Sequence, residues 1–84
     1  MYYVYILRCN DDTLYVGSTA DIAKRLHAHN SLKSGAHYTK IRRPVVLVCS
    51  EECADYAMAR RREGELKALT RTEKLDLIKK NKNI

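Results

Sequence analysis

The stretch YYVYILRCNDDTLYVG, residues 2–17, decides the fold because it predicts two strands joined by a short loop. Residues 2–9 are rich in β-branched and aromatic side chains, which are typical of a strand. The cluster NDDT at 10–13 predicts a turn, and residues 13–17 resume the strand pattern. The two segments therefore predict a β-hairpin.

The length of the hairpin loop determines which face each tyrosine occupies. With a three-residue loop, residues 10–12, Tyr5 lies opposite Gly17 and Tyr15 lies opposite Leu7, so both tyrosines share one face. A two-residue loop would separate the tyrosines, because side chains alternate between faces with a period of two. Three-residue loops usually place a left-handed residue last, which aspartate tolerates less well than glycine. We favour the three-residue loop.

One helix is predicted directly after the hairpin. Ser18 or Asp21 can cap its N-terminus. Ile22, Leu26 and His29 follow the i, i+4, i+7 pattern of a buried stripe, and the helix is expected to end near residue 30. Residues 35–43 predict a basic loop or a short edge segment.

A last strand and two further helices complete the predicted order. The run VVLVC, residues 45–49, is apolar at every position, as in a strand covered on both faces. A second helix is predicted over residues 55–69, and the capping box at 70–73 predicts the start of a third. The order β-β-α-β-α-α predicts an α+β fold with helices packed on a small sheet. The apolar stripe of the second helix is expected to comprise Ala54, Met58, Leu66 and Leu69.

Composition narrows the class of protein. The 84 residues predict one domain, residues 1–84. Lysine and arginine number 16 against 10 acidic residues, a net charge of +6 that favours a polyanionic partner. The three cysteines form no CxxC motif, so reduced thiols in a cytoplasmic protein are expected. No apolar run is long enough to span a membrane, and none has the pattern of a signal peptide.

The ordered motifs resemble the GIY-YIG nuclease superfamily. VYI at 4–6 and YVG at 15–17 are similar to the paired motif that names the family. DIAKRLHAHN at 21–30 is similar to its helix carrying an arginine and, four residues later, a histidine. The resemblance continues through YTKIRRPVVLV at 38–48 and ends on AMARRREGELK at 57–67, where the family has a metal-binding glutamate. It covers nearly the whole chain, is greatest to the small single-domain members, and implies a three-stranded antiparallel sheet flanked by helices.

The resemblance also implies a phosphodiesterase site that uses a single divalent ion, Mg²⁺ or Mn²⁺, bound weakly without substrate. An arginine would hold a phosphate oxygen, and a tyrosine would act as general base or relay. The residues leave open whether either tyrosine or His29 accepts the proton. Carried over by position, the site comprises the motif tyrosines Tyr5 and Tyr15, the positioning glycine Gly17, the helix residues Arg25 and His29, and the metal ligand Glu63.

Two positions differ from the family pattern. Family nucleases often carry a lysine just after YIG, whereas this chain has Ser18 and Thr19 there, so one positive charge is missing. Gly64 follows the glutamate where related small members tend to have a larger side chain, which predicts a looser helix. The first difference predicts slower cleavage, and the second predicts a less firmly oriented Glu63.

Three hypotheses for function follow, in descending order. The first is a metal-dependent endonuclease that hydrolyses phosphodiester bonds in DNA repair or processing, with DNA favoured over RNA. The second is a nucleic-acid-binding module with the nuclease fold and little cleavage, and the third is a protein-interaction domain. Larger family nucleases are usually targeted by an attached domain, so a partner protein for targeting is also expected. Phosphate contacts are predicted for the basic residues Lys24, Lys40, Arg42, Arg43 and Arg62.

Overall fold

The computed structural model describes residues 1–81 and has the predicted α+β architecture. Its three strands form one antiparallel sheet in the order β2-β1-β3, which puts the first strand in the centre. Helices flank this sheet, so the predicted fold class is confirmed. The elements are β1 (Tyr2–Arg8), β2 (Leu14–Thr19), α1 (Ile22–Ser31), α2 (His37–Lys40), β3 (Val46–Cys53), α3 (Tyr56–Ala68) and α4 (Arg71–Asn81).

The hairpin has the three-residue loop. The Cys9 amide donates to the Thr13 carbonyl at 2.8 Å and closes the loop. Asp12, the last loop residue, has a φ of 69°, the left-handed conformation that such loops require. As a result Tyr5 lies opposite Gly17, and Tyr15 lies opposite Leu7. The two tyrosines therefore share one face of the sheet, as predicted.

The two faces of the sheet have separate cores because side chains alternate along β1. On one face, Val4 and Ile6 pack with Ala59 and Leu66 of α3, and Leu77 of α4 extends this cluster. On the other face, Tyr5 and Leu7 pack with Val45, and Leu26 of α1 covers them. The sheet thus lies between α3 and α4 on one side and α1 on the other.

The expectation that the last strand is covered on both faces is wrong. The strand β3 pairs only with β1, at the edge of the sheet, and it continues to Cys53. Val46 is 47% exposed and Leu47 is 38% exposed. A continuous apolar run is typical of a central strand that is covered on both faces. In this sheet the central strand is β1, and β3 lies at the edge.

The helices differ from prediction in two places. Residues 37–40 form the short helix α2 instead of a loop or edge segment, and Thr39 is buried within it. In α3 the buried stripe runs through Ala59 and Leu66, whereas Met58 and Ala54 are exposed. The helix begins one turn before Ala59 because the Asp55 carboxylate caps it, accepting from the Met58 amide at 2.8 Å.

The other helix boundaries follow the predicted caps. Asp21 begins α1 by accepting from the Lys24 amide at 3.1 Å. The capping box at the start of α4 is confirmed: the Thr70 amide donates to Glu73 Oε1 at 2.9 Å, and the Glu73 amide donates to Thr70 Oγ1 at 3.2 Å. None of the helices within residues 1–81 is long and apolar enough to cross a bilayer.

Candidate active site

The ring of Tyr5 occupies space that exists because residue 17 has no side chain. A Cβ atom at Gly17 would lie 2.5 Å from Tyr5 Oη and 2.7 Å from Tyr5 Cζ. It would also lie 3.2 Å from Cε2 of Tyr15. The phenol of Tyr5 therefore lies against the β2 backbone, and this close approach is the physical reason for a glycine in YVG.

A buried chain of hydrogen bonds continues from Tyr5 into the helices. Tyr5 Oη lies 2.8 Å from His29 Nε2, and His29 Nδ1 lies 2.7 Å from Thr39 Oγ1. The Thr39 hydroxyl donates its single proton to the Ala36 carbonyl at 2.9 Å. Thr39 must therefore accept from Nδ1–H, which leaves Nε2 as the acceptor of the Tyr5 hydroxyl proton. The partners thus assign the tautomer of His29.

Burial keeps both ends of the Tyr5–His29 bond neutral. The pKa of His29 falls to about 4, chiefly because burial disfavours its charged form and also because Arg25 and Arg43 add positive charge nearby. The pKa of Tyr5 rises to about 12, chiefly through burial, although the Arg25 guanidinium opposes the rise. In the free protein the proton therefore stays on Tyr5 Oη, directed at a histidine nitrogen that can receive it.

Tyr15 is the more exposed of the two motif tyrosines. Tyr5 is only 3% exposed, whereas Tyr15 is partly exposed. The Tyr15 ring meets the His29 ring edge-on at 5.2 Å between centroids. It also stacks on Tyr38 at 5.8 Å with an interplanar angle of 29°. Tyr38, which no sequence motif singles out, supports Tyr15 from α2.

Arg25 borders the group formed by Tyr5 and His29. Its Nη1 donates to the Ser34 carbonyl at 3.1 Å, which fixes the guanidinium in the wall of a pocket of about 360 Å³. Lys24 and Leu32 line the same pocket. Arg25 is close enough to Tyr5 and His29 for its charge to lower the pKa of each. A cation at this position can contact a phosphate beside the tyrosine.

Glu63 approaches from the other side of β2. Ser18 follows Gly17 in the strand, so it faces α3 instead of α1, and its hydroxyl donates to Glu63 Oε1 at 2.6 Å. Lys67 Nζ lies 2.8 Å from Glu63 Oε2. Burial alone would raise the pKa of Glu63, but the contacts with Lys67 and Ser18 outweigh it and lower the pKa. The residue that replaces the family lysine thus holds the predicted metal ligand.

The donor set fits a divalent ion that takes most of its ligands from substrate and water. Within residues 1–81 no cluster of three His, Cys, Asp or Glu side chains could hold a metal ion. Glu63 instead offers one carboxylate, and its charge is near enough to Tyr5 to raise the pKa of that hydroxyl. Mg²⁺ commonly binds through one or two carboxylates together with waters and substrate phosphates. Glu63 would hold such an ion.

Arg43 and Arg62, both predicted to bind phosphate, have partners within the protein, as Arg42 also does. Arg43 donates to three carbonyls near the end of α1: Nε to His29 at 2.6 Å, and Nη2 to Ala28 at 3.2 Å and to Leu32 at 2.7 Å. These contacts tie the segment before β3 to the C-terminal end of α1. Arg62 binds Glu51 at 2.8 and 3.1 Å and Glu65 at 3.0 Å. Both side chains therefore hold elements of the fold together.

The remaining predicted contacts lie on α1, on α2 and in the segment after α2. Lys24 is exposed near the start of α1, and Lys40 is partly exposed at the end of α2. Arg42 pairs with Asp11 at 3.0 Å, and its guanidinium carbon lies 3.9 Å from the centre of the Tyr38 ring. Binding of nucleic acid by these residues stays a prediction.

The fold and the geometry of the site indicate one class of protein, and comparison with known proteins identifies the same class. The family model described as GIY-YIG catalytic domain matches residues 1–76. The chain therefore belongs to the GIY-YIG family. The nucleases of this family typically use divalent metals, and the presence of the domain suggests that the chain binds nucleic acid.

Within this family the chain is similar to the proteins named UPF0213. It is 54% identical over 79 residues to the UPF0213 protein of Syntrophus aciditrophicus, covering 94% of this chain and 91% of that one. It is 48% identical to a UPF0213 protein of Staphylococcus haemolyticus, covering 92% and 93%. The solution structure of a UPF0213 protein from Bacillus halodurans is similar with a TM-score of 0.59 and 39% identity, covering 94% and 84%.

Proposed function

We propose that the protein is a divalent-metal-dependent endonuclease that hydrolyses phosphodiester bonds, with DNA favoured over RNA. The observation that carries the proposal is the bond from Tyr5 to the neutral, buried His29, whose other nitrogen is fixed by Thr39. A hydroxyl that packs against Gly17 and donates to an imidazole of assigned tautomer is suited to proton transfer.

The proposed proton path has two transfers. The attacking water gives a proton to Tyr5 Oη as Tyr5 passes its own proton to His29 Nε2. His29 then carries a proton on each ring nitrogen, and its Nδ1–H group still donates a hydrogen bond to Thr39. Arg25 contacts a non-bridging oxygen of the phosphate. A divalent ion at Glu63 would neutralise phosphate charge and make the attacking water more acidic. Tyr5 gives up one proton as it gains another, so the transfer ends with a neutral tyrosine and a protonated His29. The negative substrate phosphate nearby would favour this charged imidazole, whose pKa in the free protein is about 4.

The proposal includes a setting for the activity. Mg²⁺ or Mn²⁺ is the proposed ion, and the substrate is DNA undergoing repair or processing in the cytoplasm, with a partner protein supplying targeting. Support comes from the net charge of +6, the family membership and the single carboxylate at the site.

A cleavage assay tests the proposal. The protein is incubated with branched, nicked and plain DNA and with RNA, in Mg²⁺ or Mn²⁺, beside Tyr5→Phe, Arg25→Ala and Glu63→Gln. Each substitution removes one proposed role, so each is expected to slow cleavage at least about 100-fold. Lys79→Ala is the matched control, since it removes an exposed charge from α4, a helix that contributes no residue to the proposed site. Cleavage that persists equally in all variants would show a contaminating nuclease and refute the proposal.

Two observations favour a second function, a nucleic-acid-binding module with little cleavage. The Lys67 ammonium already pairs with the Glu63 carboxylate, since Nζ lies 2.8 Å from Oε2. In addition, Ser18 replaces the lysine expected after YVG. Salt-sensitive binding of DNA without cleavage in any metal would favour the module. Absence of binding at low salt would exclude both functions.

A further inference from the structure

We propose that Lys67 is an internal counter-ion that competes with the divalent ion for Glu63 and supplies, after displacement, the positive charge missing beside YVG. This inference rests on the proposed function, because it assumes that Glu63 is the metal ligand. It assigns to Lys67 two roles that alternate: partner of the carboxylate in the free protein, and contact for phosphate in the complex.

The positions of the two side chains support competition. Glu63 is only 14% exposed, whereas Lys67 is 55% exposed, so the ammonium lies on the solvent side of the carboxylate. Ser18 holds the other oxygen at 2.6 Å. A divalent ion that approaches Oε2 from solvent would meet the Lys67 ammonium, and two cations at one oxygen repel each other.

The strength of the pair indicates displacement without a permanent block. Glu–Lys pairs at i,i+4 on exposed helix surfaces are weak, because water screens them and the long lysine side chain loses freedom. An ion with twice the charge, assisted by substrate phosphate, can therefore displace Lys67. Competition of this kind reduces metal affinity by a small factor, about two- to fivefold, and becomes unimportant when nucleic acid brings its own phosphates.

The place to which Lys67 would move follows from the shared carboxylate. Lys67 Nζ and Ser18 Oγ contact the two oxygens of the same group, so the ammonium lies beside the strand position where related nucleases carry lysine. A lysine has a flexible stem and a compact charge that can pair with phosphate. The helix α3 thus offers the charge that β2 lacks.

Metal binding to the free protein tests the competition. Calorimetry with Mn²⁺ compares the wild type with Lys67→Met, which keeps an apolar stem, and with Lys79→Met, which removes the same charge from an exposed position on α4. Lys67→Met is expected to bind Mn²⁺ about two- to fivefold more tightly than both others. Equal affinity in all three proteins would overturn the competition.

Glu63→Gln separates this inference from the proposed function. If Glu63→Gln loses Mn²⁺ binding while Lys67→Met matches the wild type, the metal site stands and the counter-ion role fails. If Glu63→Gln binds Mn²⁺ as well as the wild type, the metal site itself fails, and the counter-ion role fails with it.

Cleavage at saturating Mn²⁺ tests the second role. Lys67→Met is expected to turn over DNA about tenfold more slowly although it binds the metal more tightly, because the phosphate loses one cation. Lys67→Arg keeps the charge and is expected to recover most of the rate. Turnover by Lys67→Met at or above the wild-type rate would overturn the claim that Lys67 supplies the missing charge.

Discussion

Replacing Gly17 with alanine is expected to damage stability and activity together, through one collision. The added Cβ would lie 2.5 Å from Tyr5 Oη and 2.7 Å from Cζ, distances that real Cβ atoms essentially never show. Tyr5 lies on the central strand with its ring 3% exposed, so it has no room to withdraw. The ring must shift, or the hairpin must open at this pair.

The magnitude follows from two contributions. Overpacking a buried site by one methyl group costs about 1–3 kcal/mol. A shift of the ring also stretches the 2.8 Å bond from Oη to His29, and a lost buried hydrogen bond costs about 0.5–1.5 kcal/mol. The expected loss in the free energy of unfolding is therefore about 2–4 kcal/mol. A displacement near 1 Å at a reacting group also lowers turnover about 100-fold.

A double-mutant cycle with Tyr5→Phe assigns the cause. Urea denaturation gives the free energy of unfolding for the wild type, Gly17→Ala, Tyr5→Phe and the double variant. Because phenylalanine lacks the atom that is 2.5 Å away, Gly17→Ala is expected to cost less in the Tyr5→Phe background than in the wild type. Equal costs in both backgrounds, or a stable Gly17→Ala protein, would refute the reasoning.

Three further predictions concern other parts of the site. Ser18→Ala removes the 2.6 Å bond to Glu63 and is expected to lower turnover at saturating metal about tenfold, because the carboxylate loses its orientation. Gly64→Ala is expected to raise the free energy of unfolding by about 1 kcal/mol, since an added Cβ meets no atom within 4 Å. His29, with a pKa of about 4 when folded and 6.5 when exposed, binds a proton in the unfolded state first, so stability falls as pH drops from 6.5 to 4, by up to about 3 kcal/mol.

Each of these predictions has a control. Thr72→Ala removes a hydroxyl from an exposed position on α4, and an equal loss of turnover there would contradict the role of Ser18. A thermal denaturation in which Gly64→Ala melts below the wild type would contradict the open space at that position. An NMR titration follows the His29 ring directly, and protonation near pH 6.5 in the folded protein would contradict the buried, neutral imidazole.

The sequence predicted the hairpin well because loop length and alternation are local properties. Counting three loop residues was enough to place Tyr5 opposite Gly17, and the structure has that register. Helical spacing likewise predicted that Arg25 and His29 border one stripe, and both lie beside Tyr5. These inferences needed no knowledge of how distant elements pack.

The features that sequence analysis missed depend on packing between distant elements. Thr39 fixes the tautomer of His29 from a four-residue helix, and no pattern in the sequence singles out that hydroxyl. In the sequence Ser18 stands out only as a missing positive charge, because its contact with Glu63 joins residues 45 apart along the chain. Arg43 looked like a phosphate ligand, whereas its donors serve the end of α1, a role that a basic cluster does not reveal.

The central position of Tyr5 has a consequence for how the proposed activity would be lost on warming. Its strand is paired on both sides, with Gly17 and with Ser50, so its amide belongs to the segment expected to exchange with solvent only on global unfolding. Arg25 and Glu63 belong to helices on the outer layers, which can open separately. We therefore expect the backbone amides of Arg25 and Glu63 to exchange with solvent faster than the amide of Tyr5. The proposed cleavage should also be lost at temperatures at which the sheet is still intact.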